Sequence, residues 1–274
     1  MLYSHSCFEQ TTKEGEPVLV FLHGLLGSGE DWQSSVEQLP KSNRITIDLP
    51  GHGQSLEHTC ADFFQCCQQI SHTILSQIEP NTPIILIGYS LGGRIAMLGA
   101  ALELFSSINL VGLVIEGGNF GLQSELEKKQ RWENDSRWAQ RFRLEPIEQV
   151  LNDWYQQAVF SSLNDEQRQT LITKRSANLG NHIANMLLST SLANQPYLLP
   201  ALQQLSLPVL YVCGANDHKF RQLAEQSGLT YCQIESAGHN VHQEQPCAFA
   251  KTIQRFIDSL HKEVRSNNIG NHHG

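Results

Sequence analysis

Pro83-Ile-Ile-Leu-Ile-Gly88-Tyr89-Ser90-Leu91-Gly92-Gly93-Arg94, continued by an apolar-periodic run from Ile95 to Phe105, is the stretch that decides the fold. A short β-rich run, a serine flanked by glycines and a helical pattern describe a tight strand-to-helix turn that presents a serine hydroxyl above a parallel sheet. Gly88 and Gly92 fall where a Cβ would collide as the chain reverses. With glycine and serine each at roughly 7% of residues, a bare G-x-S-x-G is expected by accident about 0.1 times in a chain this long. The strand before it and the helix after it make the accidental reading weaker still.

Upstream, Pro17 to Leu22 is a continuous apolar run, as expected of a strand buried on both faces. It opens into His23-Gly24-Leu25-Leu26-Gly27-Ser28 and then a helix predicted from about Gly29 to Leu39. A glycine-rich loop at this place supplies one oxyanion donor, the N–H of Leu25, with the N–H of Leu91 as its partner. Arg44 to Leu49 reads as the next strand, followed by Pro50-Gly51-His52-Gly53, where His52 reads as a structural turn histidine. Ala61 to Gln77 reads as a helix and Leu110 to Ile115 as another buried strand.

Composition changes after Gly118. From about Asn119 to Gln204 the chain reads as helical and polar, and it holds Trp132, Trp138 and Trp154 together with Arg131, Arg137, Arg141, Arg143, Arg168 and Arg175. So long a segment between two buried strands is no loop. It is expected to form a helical cap over the carboxyl ends of the strands, where ligands bind in open α/β sheets. The sheet resumes at Leu207 to Cys213, and a last strand spans Thr230 to Glu235. A terminal helix opens at Pro246 and runs to about Val264. The expected division is therefore a core of residues 1–118 and 205–265, a cap of 119–204 and a disordered tail of 266–274.

A reactive serine needs a histidine to take its proton and a carboxylate to orient that histidine. Ser90, Asp217 and His239 occur in the order Ser, acid, His, with Asp217 and His239 each just after a predicted strand. Glu116 competes for the acid position and His242 for the histidine position. The fold class is thus α/β, an α/β-hydrolase fold with a mostly parallel sheet and a helical cap.

The net charge of −8 and the lack of a basic block argue against a nucleic-acid partner. No apolar run approaches the ~18 residues of a membrane span. Seven scattered cysteines suit reduced thiols, and the N-terminus lacks signal-peptide regions, so a cytoplasmic enzyme is expected. No metal-ligand spacing is present, and no metal or other cofactor is expected. Nothing in the sequence addresses oligomeric state.

A narrower resemblance is visible in the cap. Val114 to Gly118, Gly121-Leu122-Gln123, Trp138 to Phe142, Asp153 to Phe160 and Ser162 to Asp165, with Gly88 to Arg94 and Ala237 to Asn240, resemble the 2-succinyl-6-hydroxy-2,4-cyclohexadiene-1-carboxylate synthase family of menaquinone biosynthesis. That resemblance implies a lyase that removes a proton beside a ketone and expels pyruvate. It implies that Ser90, Asp217 and His239 are required, with the serine as base. It further implies that Arg94, Arg131 and Arg175 hold a small tricarboxylate substrate, and that Tyr89 and Trp154 line the pocket. The rival functions are an ester or thioester hydrolase working through an acyl-enzyme and a non-catalytic binding module.

Overall fold

The computed structural model describes residues 1–8, 15–40 and 42–270, with backbone alone from 262 onward. Seven strands, β1 (Ser4–Cys7), β2 (Val18–Leu22), β3 (Arg44–Ile47), β4 (Pro83–Tyr89), β5 (Asn109–Glu116), β6 (Val209–Gly214) and β7 (Thr230–Ile234), form one sheet in the order β1-β3-β2-β4-β5-β6-β7. Every neighbouring pair is parallel except β1 with β3. In β2, Val18, Val20 and Leu22 face one apolar cluster, while Leu19 and Phe21 face the other. Burial on both faces explains why the central strands read as unbroken apolar runs.

Helices α1 (Gln33–Val36), α2 (Phe63–Leu75) and α3 (Leu91–Ala101) follow β2, β3 and β4. The helix expected from Gly29 to Leu39 is instead a 3-10 turn, Gly29–Trp32, and the single turn of α1. α2 begins where the Asp62 carboxylate accepts the N–H of Gln65 at 2.8 Å. Between β5 and β6 lie α4 (Glu125–Leu144), α5 (Ile147–Trp154), α6 (Asp165–Arg175), α7 (Gly180–Ser189) and α8 (Leu199–Leu202), with no strand among them. These helices build an apolar cluster of their own around Phe142, Val150, Leu151, Ile183 and Leu187, and it takes in Leu26 from the loop after β2. α9 (His218–Gln226), α10 (Val241–Glu244) and α11 (Pro246–Gly270) complete the chain. α11 thus continues into the segment expected to be a disordered tail, and residues 271–274 of that segment lie outside the described residues.

The turn between β4 and α3 is where the backbone is most constrained. Ser90 has φ 49° and ψ −104°, a region that costs a non-glycine residue about 1–3 kcal/mol. A Cβ on Gly88 would lie under 3.0 Å from the backbone of Gly92, and one on Gly92 under 3.0 Å from the carbonyls of Leu22 and His23. Because the obstacle is backbone, side-chain repacking cannot relieve it. Gly92→Ala is therefore expected to destabilise the fold at the upper end of the roughly 1–3 kcal/mol range for overpacking, read as a drop in the urea midpoint. An unchanged midpoint would show that α3 can slide away from β2.

Candidate active site

Ser90, Asp217 and His239 each follow the carboxyl end of a parallel strand, whereas Arg131, Trp154 and Arg175 come from helices of the cap. Ser90 follows β4, and its N–H donates to the carbonyl of Glu116 on β5 at 2.8 Å. Asp217 follows β6 as the N-cap of α9, where Oδ1 accepts the N–H of Phe220 at 3.3 Å. Its other oxygen, Oδ2, lies 2.7 Å from His239 Nδ1. His239 follows β7, and its Nε2 is 3.3 Å from Ser90 Oγ. One carboxylate thus caps a helix and fixes the imidazole that reaches the serine. The structure brings Ser90, Asp217 and His239 together in the relay geometry that general-base activation of a hydroxyl requires.

The His239 ring is walled by aromatics: Phe220 at 4.6 Å, Tyr89 at 5.3 Å and, from the cap, Phe160 at 6.4 Å between ring centroids. Trp154 packs on Trp138 and Phe142 within the cap. Leu91 follows the serine and Leu25 follows Gly24, where a Cβ would lie 3.7 Å from Ser90 Cβ; among the described residues neither backbone N–H has a hydrogen-bond partner. Next to Leu25, Leu26 is held in the left-handed region at φ 70°. Its N–H donates to His52 Nε2 at 3.0 Å, and its carbonyl accepts from Asn178 of the cap at 3.0 Å.

The three arginines differ in what they touch. Arg94 is buried, and its Nε–H and Nη2–H donate to neutral acceptors, Gln195 Oε1 and the Thr190 carbonyl, each at 2.7 Å. No carboxylate pairs with it among the described residues. Burial first and repulsion from Arg131 second push its pKa down to about 9. Arg131 donates to Asp135 at 2.8 Å, and the buried Asp135 also accepts from Ser191. Arg175 is buried against Asp31 at 2.5 Å, with Lys174 on the other Asp31 oxygen at 2.9 Å. Burial alone would raise the Asp31 carboxyl, but Arg175 and Lys174 more than reverse that and hold it well below the usual range. Lys219 lies on α9 with its ammonium over the Phe220 ring. Burial of that head group first, and Arg131 second, lower its pKa.

A family described as alpha/beta hydrolase fold matches residues 17–246. The 2-succinyl-6-hydroxy-2,4-cyclohexadiene-1-carboxylate synthase of Yersinia enterocolitica is 49% identical over 241 residues, which cover 88% of this chain and 86% of that protein. The synthase of Photorhabdus laumondii is 48% identical over 248 residues, covering 90% and 87%. The structure of MenH from S. aureus matches with a TM-score of 0.85 at 27% identity, covering 95% of this chain and 100% of that one. The chain belongs to the 2-succinyl-6-hydroxy-2,4-cyclohexadiene-1-carboxylate synthase family. A thermophilic esterase from Thermogutta terrifontis, at 21% identity and a TM-score of 0.74, shares the fold alone.

In this synthase-family chain, the two runners-up of the sequence reading pair with each other instead of entering the relay. His242 Nδ1 lies 2.8 Å from Glu116 Oε2, and both residues are fully buried. Sequence reasoning did not foresee Asp31 as the partner of Arg175, nor the acceptor role of His52. The only signal for either was a place in the Gly-rich loops beside the strand ends.

His23 and His52 are each oriented by two backbone groups. Nδ1–H donates to the carbonyl of Gly24 and of Pro50 respectively, and Nε2 accepts the N–H of Leu49 and of Leu26. Burial lowers His23 from 6.5 to about 4 and His52 from 6.5 to about 3. Both folded values lie below the unfolded one, so the unfolded chain binds more protons as pH falls below about 6.5, and stability drops through that window. Each histidine is expected to remove about 1.4 kcal/mol per pH unit between pH 6 and the folded value, measured by urea unfolding. His52→Gln, which leaves His23 as the remaining member of this backbone-bound pair, should make that slope shallower; an unaltered slope would exclude His52 as its source.

Proposed function

We propose that this protein eliminates pyruvate from 2-succinyl-5-enolpyruvyl-6-hydroxy-3-cyclohexene-1-carboxylate to give 2-succinyl-6-hydroxy-2,4-cyclohexadiene-1-carboxylate, a lyase step of menaquinone biosynthesis. The observation that carries the reading is a buried, unpaired Arg94 one helical turn beyond a serine–histidine–aspartate relay. An arginine stays charged in a protein, so an unpaired buried guanidinium is a standing cost that a carboxylate relieves. Arg131 lies near enough to repel both Arg94 and Lys219, so positive charge gathers in this region. A compact tricarboxylate fits such a site, and bidentate carboxylate binding is what arginine does well.

In this reading Ser90 Oγ, its own proton passed to His239, removes the ring proton next to the succinyl ketone. Electrons from the breaking C–H bond at C2 form the C2=C3 bond, the existing ring double bond moves from C3=C4 to C4=C5, the C5–O bond to the enolpyruvyl group breaks, and that group leaves as the enolate of pyruvate. His239 returns its proton through Ser90, and the enolate becomes pyruvate on protonation. Negative charge building on the ketone oxygen is met by the N–H groups of Leu25 and Leu91. Tyr89, against the His239 ring, walls the reacting side. Trp154, packed on Trp138 and Phe142 of the helix that carries Arg131, lines the pocket from the cap. Asp217 holds His239 in the tautomer that faces the serine. The steps are proton transfers and one C–O cleavage, so no metal is required and chelators should leave the rate unchanged. Among the described residues no helix is long and apolar enough to cross a membrane. Reduced cysteines support the cytoplasm as the compartment in this reading.

Pyruvate release from the pathway intermediate, coupled to lactate dehydrogenase, tests the reading directly. Wild type should release one pyruvate per diene formed without a covalent enzyme species. Ser90→Ala should lose several orders of magnitude, and a loss under tenfold would remove Ser90 as the base. Arg94→Ala forgoes a charge-assisted hydrogen bond of about 1.5–3 kcal/mol, so kcat/KM should fall roughly 10- to 200-fold. Trapping of an acyl-serine from simple esters, with no pyruvate from the intermediate, would replace the lyase by a hydrolase.

A further inference from the structure

Beneath the relay lies a second histidine–carboxylate pair, fully buried. Glu116, the last residue of β5, accepts two donors from one residue: the backbone N–H of His242 at 3.1 Å and Nδ1–H of the same residue at 2.8 Å. The carbonyl of Glu116 accepts the N–H of Ser90 at 2.8 Å. One residue therefore holds the serine turn with its backbone and the histidine turn, His239 to His242, with its side chain. The rest of His242 is fixed as firmly. Its ring stacks on Trp32 at 4.1 Å, it meets the edge of Tyr89 at 4.9 Å, and its carbonyl accepts from Ser35 Oγ at 2.6 Å. Tyr89 in turn lies against both histidine rings.

We infer that the Glu116–His242 pair is a positioning pair for the base, setting the distance between Ser90 Oγ and His239 Nε2 by tying the histidine turn to the carbonyl that anchors the serine turn. The inference takes from the proposed function the role of Ser90 as proton acceptor, but not the identity of the substrate. A buried carboxylate is costly unless its acceptors are satisfied, and a hydrophobic pair of similar volume would stabilise the fold at least as well. A carboxylate does what a hydrophobic pair cannot: it fixes direction and distance. The Ser90–His239 contact at 3.3 Å has little slack, since a lengthening of about 1 Å can cost on the order of 10²-fold in rate.

The test uses a probe of the serine–histidine contact that is independent of the lyase reaction. Phenylmethanesulfonyl fluoride forms an S–O bond to Ser90 Oγ and loses fluoride, with the serine proton passing to His239, so its second-order rate reports that contact. Glu116→Ala, with a thermal melt confirming that it is folded, should slow sulfonylation and kcat together by about 10- to 100-fold while KM stays within about threefold. Glu116→Gln keeps Oε1, which lies 3.1 Å from the backbone N and 3.0 Å from Nδ1 of His242 and can accept from both, and should stay within about threefold of wild type on both rates. A folded Ala variant with wild-type sulfonylation overturns the inference. A Gln variant as slow as the Ala variant overturns it too, by assigning the effect to lost charge. Should the Ala variant not fold, Glu116→Asp, one methylene shorter, carries the same expectation and the same refutation. If wild type releases no pyruvate yet the variants slow sulfonylation as stated, the lyase reading fails and the positioning role stands.

Discussion

Between β2 and the first turn of α3 there is no space for a methyl group, and the arrangement of the reacting groups follows from that. With Gly92 against the carbonyls of Leu22 and His23, the chain must reverse within one residue after β4, and that residue is Ser90. The strain in Ser90 is held by hydrogen bonds on both sides. Its N–H goes to Glu116 on the neighbouring strand, and its carbonyl takes the N–H of Arg94 one turn into the helix. The serine oxygen is thereby fixed to the centre of a buried sheet rather than to a loop. Preorganisation of this kind lets a weak base act at a defined point.

A chain of net charge −8 attracts a polyanion only through local charge, and its cations divide into two kinds. Arg175, with Lys174, is already committed to Asp31. Arg141 and Arg168 are committed on the cap surface to Glu145, Asp153 and Asp165. Arg94 is committed to nothing charged. What separates Arg94 from Arg175 is the partner and not burial, since both are buried while only Arg175 has a carboxylate against it.

The central strands and the serine turn were legible because both-face burial and a backbone-limited turn leave strong marks on sequence. Ser90, Asp217 and His239 could be singled out because strand ends are visible and chain order restricts the choice. β1 escaped notice: Ser4-His5-Ser6-Cys7 is a half-exposed antiparallel edge strand, and nothing in four polar residues shows what they pair with. The Glu116–His242 pair also escaped. Each was visible as a rival for a place in the relay, but sequence order cannot show that two rivals satisfy one another from opposite ends of the fold. Likewise, the composition of the cap announced arginines without saying which carried its own carboxylate.

The loop that carries Leu25 is held from two directions, which gives the buried Asp31–Arg175 pair a purpose beyond stability. Leu26 is gripped through its N–H by His52 of the core and through its carbonyl by Asn178 of the cap, while its side chain sits in the apolar cluster of the cap. A few residues on, Asp31 takes Arg175 and Lys174 from the end of α6, the helix that leads into Asn178. Any displacement of α6 must therefore break a buried ion pair or pull on the loop holding the N–H of Leu25. An apolar contact of equal area would resist separation without resisting rotation. The ion pair resists both, so the loop after β2, held to the core by His52 and to the cap by Asn178 and Arg175, ties α6 to the end of the sheet beside Ser90.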